Sequence, residues 1–251
     1  MSPASHHHVA VVTGAGRGLG AEIVRTLAVK GFRVLATDVD SARLERSKKD
    51  LGENAGAVET AKLDVRTRSD FEQALATAQS LWGGVGVLVN NAAMTKTTPL
   101  FEISADEFSD IMDVNLRGVF LGCQVFGAYF RDQQYGRIIN MASLAAQNGG
   151  AATGAHYAAS KGGIVTLTKV FARDLAAHGV TANAISPGPL DVDLVREILP
   201  AEKLEAVTKS IPVGCLGDPS FIAEMVALLA SPQAASTTGA TFDANGGLYV
   251  R

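Results

Sequence analysis

A tyrosine and a lysine four residues apart are the pair in this chain best suited to proton transfer. Tyr157 and Lys161 are separated by Ala-Ala-Ser. Because helical residues four apart lie on one face, the spacing predicts an ammonium beside a phenol. A neighbouring positive charge favours the phenolate and lowers the tyrosine pKa from about 10. The pair therefore predicts a general acid and base that works near neutral pH.

Two further polar residues occupy positions that suit the same site. Ser143 lies fourteen residues before Tyr157 and directly follows residues 137–142, which we predict to be a strand. Open α/β sheets bind ligands outside the carboxyl ends of their strands, and a hydroxyl there can donate to a carbonyl oxygen. Asn115 lies in a predicted helix from about 104 to 131. Asparagine is a poor helix former, which favours a functional role for it over a surface position.

A glycine-rich turn near the N-terminus predicts a nucleotide site. Residues 13–20 read Thr-Gly-Ala-Gly-Arg-Gly-Leu-Gly, between the apolar strand 9–12 and a predicted helix over 21–30. Glycines in such a turn let the backbone approach a pyrophosphate, and the helix N-terminus attracts its charge. The strict Gly-x-Gly-x-x-Gly pattern fails at Leu19. The pattern that fits is Thr-Gly-x-x-x-Gly-x-Gly, formed by Thr13, Gly14, Gly18 and Gly20.

The acid at the end of the second predicted strand bears on the choice of nucleotide. Asp38 follows strand 33–37 and lies eighteen residues after Gly20, close to the interval expected of a ribose-binding acid. A carboxylate there accepts hydrogen bonds from the ribose hydroxyls and repels a 2′-phosphate. Asp40 adds a second negative charge, whereas Arg17 in the glycine turn favours a phosphate. We weigh Asp38 more heavily and expect NAD, with NADP as the alternative.

Together these motifs resemble the short-chain dehydrogenase/reductase family from about residue 9 onward. The sequences at 115–120 and 245–247 are most similar to its 3-oxoacyl-thioester reductase-like branch. The resemblance implies that Ser143 and Tyr157 bond the substrate carbonyl oxygen and that Tyr157 transfers the proton. It also implies that Lys161 bonds the nicotinamide ribose and lowers the tyrosine pKa, while Asn115 supports a water that reaches solvent.

The resemblance also implies cofactor contacts from the ends of later strands. Asp64 and Val65 would lie at the adenine. Ala93 stands where the family usually has glycine, after the predicted strand 85–89, and Val192 stands where it usually has a threonine that bonds the carboxamide. Valine cannot form that bond, so either Asp191, Asp193 or the backbone replaces it, or the contact is missing. The full set of expected cofactor residues is Gly14, Arg17, Gly18, Leu19, Gly20, Asp38, Asp64, Val65, Asn91, Ala92, Ala93, Tyr157, Lys161, Pro187 and Gly188.

The alternation of strand and helix predicts one α/β domain. We expect a single Rossmann-type doubly wound parallel sheet of about seven strands, with helices on both faces. The chain of 251 residues suits one catalytic domain over 9–251, after a leader over 1–8. Residues 189–213 are predicted to form a short helical lid. Its apolar face would contact substrate together with Met94, Leu144 and Ala145.

Composition and charge exclude several other classes. Net charge is −3 with no long basic stretch, so a nucleic-acid surface is not expected. No run of 18 apolar residues or secretory signal is present, which argues against a membrane span and against export. Cys123 and Cys215 lack metal or redox spacing and suit a reducing cytoplasm, with Cys123 in the core. His6, His7 and His8 are interpreted as a solvated leader or cloning remnant rather than a metal site.

The sequence as a whole predicts an NAD-dependent oxidoreductase acting on a ketone or secondary alcohol. One alternative is an NADP-dependent 3-oxoacyl-thioester reductase, in which Arg17 outweighs Asp38. A second is a non-catalytic NAD-binding sensor or scaffold, which the presence of all four candidate catalytic residues disfavours. The resemblance further implies a homotetramer formed by the helices of Asn115 and Tyr157 and the last strand. Small residues lie on those helices, namely Gly118, Gly122, Gly162 and Gly163.

Overall fold

The computed structural model describes residues 3–150, 153–192 and 201–250. The described residues form one seven-stranded sheet in the order β3-β2-β1-β4-β5-β6-β7, and every neighbouring pair is parallel. The strands are β1 Val9–Thr13, β2 Arg33–Asp38, β3 Val58–Lys62, β4 Val87–Asn90, β5 Gly136–Met141, β6 Val180–Pro187 and β7 Thr241–Ala244. The predicted fold is confirmed. The strand order reverses between β1 and β4, where doubly wound sheets bind their ligands.

Helices cover both faces of this sheet. They are α1 Gly18–Val29, α2 Ser41–Lys49, α3 Arg68–Trp82, α4 Ala105–Met112, α5 Gly118–Gln133, α6 Ala145–Asn148, α7 Ala155–Leu175, α8 Ala201–Ser210 and α9 Pro219–Ala230. Successive β1 side chains point to opposite faces. Val12 therefore packs in the cluster that includes Ile23 of α1 and Val226 of α9, whereas Val11 packs with Phe126 of α5. The predicted core position of Cys123 is confirmed, since it is fully buried.

The predicted long helix over 104–131 is instead two helices. A π-helical turn, Asp113–Arg117, joins α4 to α5 and contains Asn115. Such turns are rare and are frequently found at functional sites. Hydrophobic periodicity does not detect the extra residue, because α4 and α5 each keep a helical pattern.

The structure describes part of the predicted lid and most of the predicted leader. Helix α8 occupies the second half of the 189–213 segment, while Asp193 lies outside the described residues. The leader forms a 3-10 turn, Pro3–His8, and the ring of His7 stacks on Tyr135 with centroids 3.6 Å apart. Burial is the main cause of a lowered His7 pKa. The His7 ring is therefore half-buried against the body of the domain, and the leader assignment of residues 1–8 stays a prediction.

The small residues of α5 and α7 make contacts within the chain. A Cβ on Gly118 would approach Val65 to 2.9 Å, and one on Gly163 would approach the Leu116 side chain to 2.8 Å. Close packing within the subunit thus explains these glycines, and the homotetramer stays a prediction. Within the described ranges, no helix combines the length and the hydrophobicity needed to cross a membrane.

Candidate active site

Ser143, Tyr157 and Lys161 meet beyond the carboxyl end of β5. Ser143 follows that strand, and the other two lie one turn apart on α7. The Ser143 hydroxyl lies close enough to the Tyr157 phenol to lower the pKa of that phenol. Its oxygen also accepts from the Ala145 backbone N–H at 3.1 Å. Because the backbone occupies an acceptor position of this oxygen, the Ser143 proton is available to Tyr157 or to a substrate carbonyl.

Burial controls the titration of the tyrosine and the lysine. Burial raises the pKa of Tyr157, and the hydrogen bond from Ser143 opposes that shift. Lys161 is 3% exposed, and burial lowers its pKa to about 8. Its Nζ donates to the Met141 carbonyl at 2.6 Å and lies 5.6 Å from the centroid of the Tyr157 ring. The expectation of a lowered tyrosine pKa is therefore wrong here, because the ammonium points to a backbone carbonyl and desolvation dominates.

Asn115 connects the loop after β4 to the helix of Tyr157. Its Oδ1 accepts from Met94 N at 2.7 Å, and its Nδ2 donates to Met94 O at 2.9 Å and to Ser160 Oγ at 3.1 Å. Ser160 Oγ in turn donates to the Tyr157 carbonyl at 2.7 Å. Asn115 is fully buried, so a surface position is excluded. The water-supporting role implied by the resemblance stays a prediction.

The glycine turn between β1 and α1 has the shape that a pyrophosphate requires. Gly14 and Gly18 have φ of +65° and +53°, and a Cβ on Gly20 would lie 2.0 Å from the Gly14 carbonyl oxygen. Helix α1 begins at Gly18, and Arg17 contributes no side-chain cap. Backbone N–H groups of its first turn are thus available to an anion, so these residues fit a dinucleotide.

Asp38 lies against this turn, as its spacing predicts. Its Oδ2 accepts from Gly16 N at 3.0 Å, and its Oδ1 accepts from Asp40 N at 3.0 Å. Asp40 caps α2 and pairs with Arg43 Nε at 3.1 Å. Arg17 is exposed on the same turn. A fixed carboxylate and an exposed guanidinium therefore flank the position expected for the adenosine ribose.

Residues after β4 brace the same turn. Asn91 Nδ2 donates to the carbonyls of Thr13 and Gly14 at 3.1 and 3.0 Å, and Ala92 N donates to Thr13 Oγ1 at 3.1 Å. A Cβ on Gly14 would approach Ala92 Cα to 2.6 Å. Ala93 is exposed, so its methyl group meets no crowding from the chain. Asn91 and Ala92 are thus placed to hold the turn.

The expected adenine residues lie after β3, next to Asp38. Leu63 N donates to the Asp38 carbonyl at 3.0 Å, which brings the β3 end alongside β2. The Asp64 carboxylate pairs with Arg66, and this side-chain hydrogen bond lowers the pKa of Asp64. Val65 is buried. The geometry brings both residues to the expected edge of the sheet.

At the end of β6, where the nicotinamide is expected, the described residues supply fewer contacts than at the glycine turn. Pro187 O accepts from Leu144 N at 2.8 Å, which ties the end of β6 to the segment after Ser143. Gly188 N donates to Ala244 O at 2.9 Å, and Val192 N donates to Leu190 O at 3.0 Å. Of the expected substrate contacts, Met94 is partly exposed. Leu144 and Ala145 are 9% and 6% exposed, because both pack inside the chain, and so they offer little surface to a substrate.

The sequence reasoning missed a pair beside Tyr157, formed by a buried histidine and a partly exposed glutamate. His156, the preceding residue, is fully buried, and its Nε2 lies 3.0 Å from Glu107 Oε1. The only signal in the sequence is Ser-x-x-Glu at 104–107, a pattern typical of a helix N-terminus. A cavity of about 460 Å³ lies at the start of α7. Its lining residues are Thr97, Thr98, Pro99, Leu100, Gly149, Gly150, Thr153, Gly154 and Ala155.

Comparison with known proteins gives matches over nearly the whole chain. A family model described as enoyl-(acyl carrier protein) reductase matches residues 14–249. The 3-oxoacyl-[acyl-carrier-protein] reductase FabG of Vibrio cholerae is 39% identical over 243 residues, which cover 96% of this chain and 97% of that protein. The acetoacetyl-CoA reductase of Rhizobium meliloti is 35% identical over 241 residues, covering 96% and 98%.

Solved structures agree with this relationship. A short chain dehydrogenase from Bacillus anthracis superposes with a TM-score of 0.88 at 28% identity, covering 99% of both chains. A putative gluconate dehydrogenase from Agrobacterium tumefaciens gives a TM-score of 0.89 at 29% identity, covering 96% of this chain and 95% of that one. On this fold, with this grouping of side chains and these relatives, the chain belongs to the short-chain dehydrogenase/reductase family and is a nicotinamide-dependent oxidoreductase.

Proposed function

We propose that this protein reduces the ketone of 3-oxoacyl thioesters to the 3-hydroxyl and oxidises the alcohol in the reverse direction. The observation that carries this proposal is the grouping of Ser143 and Tyr157, whose side chains lie close enough for Ser143 to lower the Tyr157 pKa, with Lys161 one turn away on α7. The names of the relatives supply the substrate class, since they are reductases of 3-oxoacyl and acetoacetyl thioesters. They favour the thioester alternative of the sequence analysis over the broader ketone hypothesis.

The reaction divides between the cofactor and the chain's own groups. A bound reduced nicotinamide would supply the hydride. Ser143 donates a hydrogen bond to the substrate oxygen and stabilises the charge that develops there. Tyr157 donates the proton in reduction and accepts it in oxidation. The raised Tyr157 pKa keeps the phenol protonated at neutral pH, which suits a donor and hence the reductive direction.

For the cofactor we propose NAD, on the charge at the ribose position. The Asp38 carboxylate is fixed by the Gly16 and Asp40 backbone amides, so it cannot move away from a 2′-phosphate without losing both hydrogen bonds. Two observations support NADP instead. Arg17 lies on the glycine turn, and the relatives are named as 3-oxoacyl reductases, the alternative that the sequence analysis paired with NADP. Fixed charge at the sugar outweighs an exposed arginine, because exposed charges are screened.

The remaining expectations form part of the same proposal. We propose that residues 9–251 are one catalytic domain with a lid over 189–213, assembled as a homotetramer in the cytoplasm. Ser143, Tyr157, Lys161 and Asn115 support an enzyme over a non-catalytic sensor or scaffold, because a sensor has no need of a proton donor beside a nicotinamide site. A buried reduced thiol at Cys123 suits that location.

A direct assay tests the proposal. Purified protein is given 3-oxobutyryl-CoA with NADH or NADPH, and consumption of reduced cofactor is followed by absorbance. A parallel arm uses 2-butenoyl-CoA, because the matching family model is described as a reductase of enoyl thioesters. We expect turnover of the ketone, none of the alkene, and kcat/KM at least about tenfold higher with NADH, equivalent to about 1.4 kcal/mol. Turnover of the alkene alone would contradict the substrate assignment, and a preference for NADPH would contradict the cofactor assignment.

A further inference from the structure

The helix that carries Tyr157 begins without a conventional cap. Gly154 is the N-cap residue of α7 and has no side chain to offer. The first N–H groups of a helix lack partners within the helix and need an acceptor. Here His156 supplies one, since its Nδ1 accepts from the backbone N–H of Tyr157 at 2.9 Å. The imidazole therefore holds the backbone of the proposed proton donor itself.

This bond fixes the state of the ring. A backbone N–H can only donate, so Nδ1 must be unprotonated and the neutral ring carries its proton on Nε2. That Nε2–H faces Glu107 Oε1 at 3.0 Å, which is a donor facing an acceptor. The ring is fully buried, so Tyr157 N–H and Glu107 are the partners its two nitrogens use. His156 thus forms a bridge from α7 to α4.

The Glu107 carboxylate does not make the capping-box bond that its sequence position predicts. In a Ser-x-x-Glu capping box the serine bonds the glutamate N–H and the glutamate returns to the serine N–H. Ser104 Oγ does accept from Glu107 N at 3.1 Å. The carboxylate, however, bonds His156 and Lys96. The nearby Thr98 side chain and His156 are the main causes that lower the Glu107 pKa to about 2. It is therefore an anion at any pH at which the enzyme works.

Both Lys96 and Thr98 belong to the loop between β4 and α4. Lys96 Nζ donates to Glu107 Oε2 at 3.1 Å, and the Lys96 carbonyl accepts from Gly154 N at 3.0 Å. A Cβ on Gly154 would lie 2.2 Å from His156 Cε1 and 3.0 Å from Lys96 O, so only glycine permits this approach. Thr98 and Gly154 also line the 460 Å³ cavity. The same contacts therefore connect the loop, the lining of the cavity and the start of α7.

We propose that His156 and Glu107 are positioning residues, which hold Tyr157 through the His156 Nδ1 bond and hold the 96–98 loop as a substrate wall through Glu107. Neither residue touches the reacting atoms. The two bonds of the ring have separate consequences: the bond to Tyr157 N–H governs placement of the proton donor and hence kcat, whereas the bond to Glu107 governs the loop and hence KM. This assignment rests on the proposed function for its substrate wall, but not for the Tyr157 backbone contact.

Substitutions can separate the two bonds. In His156→Asn the Oδ1 atom can replace Nδ1, but the side chain is too short to reach Glu107. In His156→Gln the amide can reach Glu107 but leaves no acceptor at the Nδ1 position. His156→Ala removes both bonds, whereas Glu107→Ala removes the Nε2 bond and the loop contacts but keeps the Nδ1 bond to Tyr157. His178→Asn is a matched control, since its Nδ1 contacts Gln134 at the other end of α7.

The test measures kcat, KM, the NADH dissociation constant and hydrogen exchange of the Tyr157 amide. We expect His156→Ala and His156→Gln to lose about 10- to 100-fold in kcat, the cost of a small misplacement, and to exchange this amide about tenfold faster. We expect His156→Asn and Glu107→Ala to keep kcat within about threefold and to raise KM about tenfold. NADH binding should stay within about twofold throughout, and His178→Asn should match wild type.

Two outcomes would overturn the proposal. One is an unchanged amide exchange rate and unchanged kcat in His156→Ala. The other is a parallel fall of kcat, NADH binding and melting temperature in every His156 variant, because that pattern would signify general destabilisation. If wild type fails to reduce 3-oxobutyryl-CoA, the proposed function fails. The amide exchange rates then still decide whether His156 holds Tyr157, because they need no substrate.

Discussion

The Tyr157 hydroxyl is the group whose removal tests the chemistry most directly. It lies near the Ser143 hydroxyl, which lowers its pKa, and on the helix of the buried Lys161. We expect Tyr157→Phe to lower kcat by about 10² to 10⁴-fold, the usual contribution of a positioned acid or base. NADH binding should change little, because the ring remains. Steady-state kinetics and a fluorescence titration with NADH measure the two effects.

A matched control is available for this change. Tyr129 is a partly buried tyrosine of α5, and its hydroxyl lies near Gly84, far from Ser143 in the fold. Tyr129→Phe should therefore keep wild-type kcat. Retention of most activity in Tyr157→Phe would remove Tyr157 from the mechanism.

A second residue-scale prediction concerns Asp38. Asp38→Asn keeps an oxygen that can accept from Gly16 N but removes the negative charge. If charge repulsion selects against a 2′-phosphate, the ratio of NADPH to NADH affinity should rise about tenfold or more, equivalent to about 1.4 kcal/mol. Side-by-side titrations at one ionic strength measure it. An unchanged ratio would show that Asp38 does not select the cofactor. Arg17 would then be the candidate for the residue that selects it.

At the scale of elements, the β1–α1 turn depends on the absence of side chains. A Cβ on Gly20 would lie 2.0 Å from the Gly14 carbonyl oxygen, which is backbone and cannot rotate away. We expect Gly20→Ala to destabilise the protein by about 1–3 kcal/mol and to lose most NADH binding. Gly56→Ala is the control, because no atom lies within 4 Å of its added Cβ. Normal NADH binding by Gly20→Ala would contradict the proposed pyrophosphate site.

The N-terminal turn should respond to acid. Burial lowers the pKa of His7 below its ordinary 6.5, so the folded chain favours the neutral ring stacked on Tyr135. The stabilising contribution is therefore complete above pH 6.5 and is lost as the pH falls through the lowered pKa. His7→Phe keeps an aromatic ring and removes the titration. Urea unfolding between about pH 7 and pH 4.5 should show a smaller acid loss of stability for His7→Phe than for wild type; equal losses would contradict this assignment.

At the scale of the whole molecule, assembly remains to be tested. The faces expected to form a homotetramer carry exposed apolar side chains, with Phe120 on α5 38% exposed and Val170 on α7 44% exposed. A buried unpaired carboxylate is costly at an interface. Val170→Glu should therefore convert a tetramer to smaller species in light scattering. Val29→Glu, at a 60% exposed valine of α1, should leave the assembly unchanged. A wild-type protein that is monomeric at micromolar concentration would refute the tetramer.

The fold and the motif residues of the site could be predicted from the amino-acid sequence. Strands 9–12 and 33–37, the glycine spacing after β1 and the four-residue interval between Tyr157 and Lys161 are local patterns, and local patterns follow from backbone geometry and side-chain periodicity. Asp38 was found in the same way, because it ends a strand adjacent to β1.

What those residues contact depends on how the elements pack against each other. Periodicity cannot show the π turn that buries Asn115, the direction of the Lys161 ammonium, or the bond from Glu107 to His156, forty-nine residues along the chain. It also could not show that burial would raise the Tyr157 pKa, because desolvation depends on what packs around the phenol. Local spacing specifies which groups share a helix face, whereas hydrogen-bond partners and solvent exposure depend on contacts between elements distant in sequence.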